Sequence, residues 1–164
     1  MINFYYVGRI VSRQKNFHKF YELINILISN NFEFCFTIFG KGDDILLNQL
    51  KKRSSNIFRI INHGYDNNWI KFIPENAIQI FLSDYEGCPL ALLESYKNDK
   101  KNIAVINSPG LFHYVSNNCV FDNINQLANS LINNQDLYNY KDLSEFFDQE
   151  RHTKEVINCF NSIQ

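Results

Sequence analysis

Short apolar runs alternate along the chain with longer segments in which apolar residues recur at helical spacing. The runs have the length of strands and the segments have the length of helices, an alternation typical of parallel sheets. The pattern predicts an α/β fold in which a Rossmann-like parallel sheet is covered by helices on both faces. The predicted strands are residues 2–7, 34–39, 57–61, 77–82, 103–106 and a short one near Val120.

Helical spacing of apolar residues marks the segments between these strands. The clearest stripe contains Phe17, Phe20, Ile24 and Leu27. No linker or internal repeat divides the chain, which predicts a single domain over residues 1–164. The order of the strands in the sheet does not follow from the pattern. The predicted helices are residues 17–28, 45–50, 90–96, 112–115 and 124–132, with one or two closing helices after Asn133.

Ligands of a parallel sheet bind beyond the carboxyl ends of its strands, so the loops that follow the strands are the expected functional region. The first loop carries two cations, Arg9 and Lys15. The second carries Gly40 and Gly42, which permit a tight turn and a close approach of the backbone. All the loops would share one rim. Their sequences are GRIVSRQKN, GKGDD, HGYDN, SDYEGCP and NSPG.

The rim combines groups that suit an anion with groups that suit hydroxyls. Arg9, Lys15 and the N-terminus of the helix after Pro89 favour a diphosphate, because cations neutralise phosphate and helix N–H groups point at it. Glu86 and Glu94 would repel that anion, but carboxylates accept hydrogen bonds from sugar hydroxyls. A diphosphate flanked by two sugars satisfies both kinds of group, which predicts a sugar nucleotide as the ligand.

The two glutamates lie eight positions apart, a little over two helical turns. Bending of the chain at residues 87–89 is therefore needed if both are to reach one ligand. In the absence of a ligand site, Glu86 would be an acid favoured by a helix dipole and Glu94 a solvated helix residue. Arg9 and Lys15 would then be ordinary surface charges.

Composition excludes several functional classes. The chain has 164 residues, of which 45% are hydrophobic, enough for one domain with its own core. A net charge of −1 argues against a nucleic-acid-binding surface, and neither a signal peptide nor a transmembrane segment is visible. The cysteines lack the spacing of zinc or redox motifs, so reduced thiols in a cytosolic protein are expected. No carboxylate pair predicts a metal site, and Asp43 and Asp44 are expected to cap a helix.

The order of the motifs resembles the C-terminal, donor-binding half of GT-B retaining glycosyltransferases of family 4, which include bacterial capsule, O-antigen and lipopolysaccharide sugar transferases. The resemblance extends over about residues 4–132. Its most specific element is the pair of glutamates with seven residues between them. The motifs, in order, are VGRI, Lys15, IFGKGDD, NHGY, SDYEGCPLALLES and SPG.

The resemblance implies a role for each candidate residue. Arg9 and Lys15 would bind the donor diphosphate and Glu86 would contact the transferred sugar, so these three are the catalytic candidates. Glu94 would hold the ribose hydroxyls, and backbone amides at the start of its helix would meet the distal phosphate. The complete set of expected nucleotide-sugar-binding residues, in which Tyr65 and Asp66 frame the base, is Gly8, Arg9, Lys15, Gly40, Tyr65, Asp66, Glu86, Gly87, Leu90, Ala91, Leu92 and Glu94.

The resemblance also implies a reaction. The complete enzyme would transfer a hexose or N-acetylhexosamine from a nucleotide diphosphate sugar, with UDP expected from family frequency, to a growing bacterial surface polysaccharide or lipid-linked glycan. No cofactor and no metal is implied. An N-terminal domain that is absent here would bind the acceptor, so the chain alone would bind donor but transfer little. The enzyme is expected in the cytoplasm, or peripherally at the inner face of the cytoplasmic membrane.

Two departures from the family pattern and two other functions bear on this expectation. The stretch SYKNDKKNIAV lacks the glycine and proline common at that point, and His113 stands where a glutamate is often found. A non-catalytic sugar-nucleotide-binding or assembly module would carry the same binding residues. A receiver-like signalling domain would need acidic residues after the first and third strands, where this chain has Gly8-Arg9 and Asn62-His63.

Overall fold

A computed structural model of the chain describes residues 1–55, 57–87, 89–100 and 102–133, together with residue 143. Six strands form one sheet, and each adjacent pair in it is parallel. The parallel sheet predicted from the sequence is therefore confirmed. Its strands are β1 (Ile2–Val7), β2 (Phe34–Phe39), β3 (Phe58–Gly64), β4 (Ile78–Phe81), β5 (Ile103–Ile106) and β6 (Val120–Phe121).

Helices pack on both faces of the sheet. The described α-helices are α1 (Lys19–Ser29), α2 (Asp44–Lys51), α3 (Leu90–Lys97) and α4 (Ile124–Ile132), and short 3-10 helices span Trp69–Phe72, Pro109–Leu111 and Asn117–Cys119. The Asp43 carboxylate caps α2 by accepting hydrogen bonds from the amides of Ile45 and Leu46 at 2.9 and 3.1 Å. The capping role predicted for this aspartate is confirmed.

The helix predicted over residues 112–115 is wrong. Residues 112–114 form a turn after the 3-10 helix Pro109–Leu111, and Val115 is a β-bridge residue. Leu111 and Val115 are both fully buried, so their spacing of four residues imitates the stripe of a helix. Leu111 reaches the core from the end of the 3-10 helix and Val115 from the residue after the turn, so both are buried without an α-helix. The closing helices predicted after Asn133 lie outside the described residues.

Burial on both faces explains why the strands read as continuous apolar runs rather than alternating ones. Phe4 and Tyr6 of β1 pack into the larger core, which α1, α2 and α4 cover. Tyr5, between them, packs on the opposite face with Phe39 and Trp69. α3 covers that opposite face near β4 and β5, where Leu92 is fully buried.

The strand order β3-β2-β1-β4-β5-β6 changes direction between β1 and β4. β1 pairs with β2 along its whole length and with β4 through Phe4 and Tyr5. At such a point the connections from the two strands run to different sides, which leaves a crevice at their carboxyl ends. The loop after β1 contains Arg9 and Lys15, and the loop after β4 contains Glu86. The topology therefore brings the predicted residues to one crevice.

Close backbone contact joins the loops that follow β1 and β2. A Cβ atom at Gly40 would lie 1.9 Å from the carbonyl oxygen of Gly8, and one at Gly42 would lie 2.1 Å from that of Ile10. Gly42 and Ile10 also form an isolated parallel bridge. Only glycine permits this approach, which confirms the close backbone contact predicted from the GKGDD sequence.

Candidate functional site

A cleft of about 500 Å³ opens at the carboxyl ends of β1, β2 and β4. Its volume lies in the range of roughly 300–1,000 Å³ that is usual for small-molecule sites. The loops after four different strands contribute to its wall. Ten of the twelve predicted site residues line it: Gly8, Arg9, Lys15, Gly40, Tyr65, Asp66, Glu86, Leu90, Ala91 and Glu94.

The other two predicted residues, Gly87 and Leu92, lie outside this lining. Leu92 packs in the core, and its amide donates to the Pro89 carbonyl at 2.9 Å, so the amide is already used by the first turn of α3. Within the part of the chain that the structure describes, the amides of Leu90 and Ala91 donate to no acceptor. The helix therefore offers the cleft two amides, where three were predicted.

Lys15 and Glu86 form an ion pair in the wall of the cleft. The Lys15 Nζ atom lies 2.5 Å from Glu86 Oε1, and the Ser83 hydroxyl donates to the same oxygen at 2.6 Å. The Glu86 side chain is 7% exposed and that of Lys15 is 19% exposed. A cation that suits a phosphate and a carboxylate that suits a sugar hydroxyl are thus held at one point.

Asn16 ties the loop that carries Lys15 to the loop that carries Glu86. The Nδ2 atom of the buried Asn16 side chain donates to the Leu82 carbonyl at 3.0 Å and to the carboxylate of Asp84. Asn16 adopts a φ of 49°, in the left-handed region that asparagine tolerates better than most residues. Sequence reasoning missed Asn16, because its partners lie on another loop far along the chain.

Gly110 supports the backbone of Glu86 from the loop after β5. A Cβ atom at Gly110 would lie 1.7 Å from the carbonyl oxygen of Glu86. Any larger residue would therefore push one of the two loops aside. The NSPG loop was predicted at the rim, but no role was predicted for its glycine. The sequence feature that could have pointed to Gly110 was a glycine in a loop that follows a strand.

Arg9 lines the cleft and is exposed. Its Nη2 atom donates to Gln14 Oε1 at 3.3 Å, and its carbonyl oxygen accepts a hydrogen bond from the Tyr6 hydroxyl at 2.5 Å. Burial, together with the negative charge of Glu86, raises the pKa of Tyr6, so that hydroxyl stays a neutral donor. The Tyr6 bond fixes the backbone from which the Arg9 guanidinium extends.

Glu94 lines the same cleft from the second turn of α3, and Trp69 contacts it there. The Trp69 indole Nε1–H donates to Glu94 Oε2 at 3.1 Å. Because α3 begins at Leu90 and Glu86 lies in the preceding loop, the two glutamates do not lie on one continuous helix. Both carboxylates therefore reach one cleft, and Trp69 is a lining residue that sequence reasoning missed.

Aromatic and polar residues form the end of the cleft beside β2 and β3. Tyr65 is exposed, and Lys41 Nζ lies 5.9 Å from the centre of its ring. The Asp66 carboxylate accepts a hydrogen bond from the Asn68 amide at 2.7 Å, which orders the loop after β3. The Phe39 ring stacks on His63 with centroids 4.9 Å apart. Tyr65 is therefore the exposed aromatic ring at this end, and the Phe39 ring beside it is buried.

Two further properties concern membranes and metals. None of the described helices combines the length and apolar character that crossing a membrane requires. Among the described residues, no three His, Cys, Asp or Glu side chains are grouped closely enough to hold a metal ion.

Comparison with solved structures relates this fold to that of glycosyltransferases. In the crystal structure of TarM, 80% of this chain superposes with a TM-score of 0.61 at 18% identity, and the chain spans 28% of the length of TarM. The catalytic domain of cholesterol-alpha-glucosyltransferase from Helicobacter pylori matches with a TM-score of 0.58 at 16% identity, covering 96% of this chain and 99% of that domain. At these identities the structures show the fold alone, which is that of one half of a GT-B enzyme.

Sequence comparison identifies the family. No curated protein sequence is detectably similar to the chain. The profile of the family described as glycosyl transferases group 1 matches residues 2–134, which include every residue that lines the cleft. The chain therefore belongs to the group 1 glycosyl transferases.

Proposed function

We propose that the chain is the donor-binding domain of a retaining glycosyltransferase and that its cleft binds a nucleotide diphosphate sugar. One observation carries the proposal: Lys15 and Glu86 meet at 2.5 Å in a cleft that also contains Arg9 and Glu94. Cations are needed for the diphosphate and carboxylates for the two sugars. A ligand with only one of these parts would leave half of the charged groups unused.

The positions of these groups favour one direction for the donor. The diphosphate would lie between Arg9, Lys15 and the amides of Leu90 and Ala91, which donate to no acceptor within the described chain. The ribose would lie at Glu94 and the transferred sugar at Glu86. The base would then reach the aromatic end of the cleft, where Tyr65 and Asp66 lie.

The acceptor and the identity of the sugar are proposed from the family alone. The complete enzyme would transfer a hexose or N-acetylhexosamine, from UDP in preference to GDP, to a bacterial surface polysaccharide or a lipid-linked glycan. A second domain would bind that acceptor, because the proposed donor occupies the cleft of this one. The donor domain would work in the cytoplasm, where nucleotide sugars are made.

Titration calorimetry tests the proposed ligand. We expect the chain to bind UDP weakly, with saturation at millimolar concentrations, and to do so equally with and without a metal chelator. Uridine should bind more weakly than UDP, because it lacks the diphosphate that Arg9 and Lys15 would neutralise. Titration with GDP tests whether the cleft also accepts a purine base. The absence of heat with both UDP and GDP would refute the proposal.

The stereochemistry of the product tests the retaining mechanism. We expect the complete enzyme to conserve the anomeric configuration of the donor sugar, which NMR of the freshly formed product measures directly. An inverted product would exclude a retaining enzyme while leaving donor binding in place. Donor binding without any transfer by the complete protein would instead indicate a sugar-nucleotide-binding module.

A further inference from the structure

Trp69 connects the aromatic packing beneath the cleft to an exposed carboxylate at its surface. It is the only tryptophan of the chain and is 6% exposed. Its ring packs against Tyr5 and Phe39, with centroid distances of 6.0 and 6.1 Å. Its indole N–H reaches out of this cluster to Glu94 Oε2 at 3.1 Å. Glu94 as a whole is an exposed residue.

We propose that Trp69 is a positioning residue that orients the Glu94 carboxylate for the ribose of the donor. This inference rests on the proposed function, in which Glu94 holds the ribose hydroxyls. The indole occupies Oε2 and leaves Oε1 to the ligand. The orientation of the carboxylate is thus set before the ligand arrives.

An exposed glutamate samples several rotamers, and binding must order it at a cost in side-chain entropy. A hydrogen bond from a rigid, buried donor restricts those rotamers in advance. Trp69 is such a donor, because its ring is held by neighbouring aromatic rings and its backbone lies in the 3-10 helix Trp69–Phe72. Preorganisation of this kind increases affinity without a new contact to the ligand.

The same bond explains why a tryptophan suits this position. A phenylalanine at residue 69 would fill most of the volume between Tyr5 and Phe39 but would have no N–H group. The buried indole N–H also needs an acceptor, since an unpaired buried donor is unfavourable. Glu94 satisfies that donor, and the donor orients Glu94.

The test compares Trp69→Phe with the unmodified chain by titration calorimetry. With UDP, we expect Trp69→Phe to weaken binding by up to about tenfold, because the ligand must then order the long Glu94 side chain itself. With 2′,3′-dideoxyuridine diphosphate, which lacks both ribose hydroxyls, we expect the two proteins to bind alike within about twofold. Phe72→Leu is the control for a general disturbance of the 3-10 helix, because Phe72 is exposed and does not line the cleft.

A double-mutant cycle separates positioning from direct contact. If Trp69 acts through Glu94, then Trp69→Phe should cause no further loss of UDP affinity in a Glu94→Ala background. If Trp69 instead contacts the base, or only stabilises the fold, the two losses should add. Additive losses, or an equal effect on UDP and the dideoxy analogue, would overturn the inference.

A second measurement needs no variant of Trp69, so it remains decisive if Trp69→Phe fails to fold. Since the chain has one tryptophan, its fluorescence reports on this site alone. UDP should change the emission, and the dideoxy analogue at saturation should change it much less. An equal change with both would contradict the inference. If the unmodified chain binds neither UDP nor GDP, both the inference and the proposed function fail; if it binds UDP and Trp69→Phe binds equally well, only the inference fails.

Discussion

Replacing Lys15 by alanine should lower the turnover of the complete glycosyltransferase by about a hundredfold or more, the usual scale for one preorganised group that stabilises developing charge. In the proposed reaction, negative charge accumulates on the leaving diphosphate as the glycosidic bond breaks. A cation beside that group therefore acts more strongly in the transition state than in the ground state. Lys15 lines the cleft and holds its ammonium group 2.5 Å from Glu86, the residue proposed to contact the transferred sugar.

The ion pair adds a second reason for a large loss. Glu86 is 7% exposed, and the hydrogen-bond donors to its carboxylate within the described chain are Lys15 and Ser83. Without Lys15, an almost buried negative charge would face the diphosphate with only a hydroxyl as its partner. The double variant Lys15→Ala with Glu86→Gln should therefore bind UDP better than Lys15→Ala alone. A double variant that binds no better would contradict this account of the pair.

Lys19→Ala is the matched control for this prediction. It removes the same charge from a residue nearby in sequence, but Lys19 does not line the cleft and lies 3.6 Å from the carboxylate of Asp84. We expect its initial rates and UDP affinity to stay close to those of the unmodified enzyme. An unchanged rate in Lys15→Ala would remove Lys15 from the site, and an equal loss in both variants would indicate an effect of net charge.

Most of the strands were predictable because this sheet is covered on both faces, so that apolar residues dominate these strands even where a polar residue such as Asn3 or Gln79 interrupts one. β1, β2 and β5 begin and end where the sequence predicted. β3 was predicted to end at residue 61 but continues to Gly64, because polar Asn62 and then Gly64 pair with Ile38 and Phe39 of β2. Pairing with a neighbouring strand extends an element past the point where its hydrophobicity ends.

The candidate site was largely predictable for a topological reason. Parallel strands carry all their following loops to one rim, so residues in those loops meet without any knowledge of the strand order. Gly87 and Leu92 were the two exceptions, and Leu92 fails for a local reason, because its amide closes the first turn of α3 on Pro89. The order of the strands depends on where each helical connection crosses the sheet. The local pattern of apolar residues does not determine these crossings.

The residues that sequence reasoning missed act through contacts between distant segments. Asn16 bonds to Leu82, Gly110 packs against Glu86, and Trp69 bonds to Glu94. Each would look ordinary within its own segment: an asparagine in a loop, a glycine in a turn and a tryptophan among apolar residues. Their importance to the cleft follows only from the partner that the fold brings to them.

Glu94→Ala and Glu86→Ala should affect different parts of the donor. If Glu94 holds the ribose, Glu94→Ala should weaken UDP and a UDP-sugar alike, by about 1.5 to 3 kcal/mol, as expected for hydrogen bonds to a charged group. Glu86→Ala should leave the affinity for UDP nearly unchanged, because the proposed contact is with the sugar. Its loss should appear only with the UDP-sugar, or as slower transfer by the complete enzyme.

The ion pair sharpens the expectation for Glu86. Removing its carboxylate frees the ammonium group of Lys15 for the diphosphate, which opposes any loss of UDP affinity from disturbance of the loop. Removing the carboxylate of Glu94 offers no such compensation, because its partner Trp69 is neutral. The two variants should therefore differ with UDP alone, before any sugar is attached.

Four titrations measure this difference, two variants each against UDP and one UDP-sugar, with melting curves to exclude unfolding. Glu75→Ala is the control, since Glu75 is exposed and does not line the cleft. If the glutamates were only a helix-start acid and a solvated residue, each substitution would change stability by at most about 1 kcal/mol and affinity not at all. Equal and small effects in all four titrations would reduce the two glutamates to that structural role and refute donor binding in the cleft.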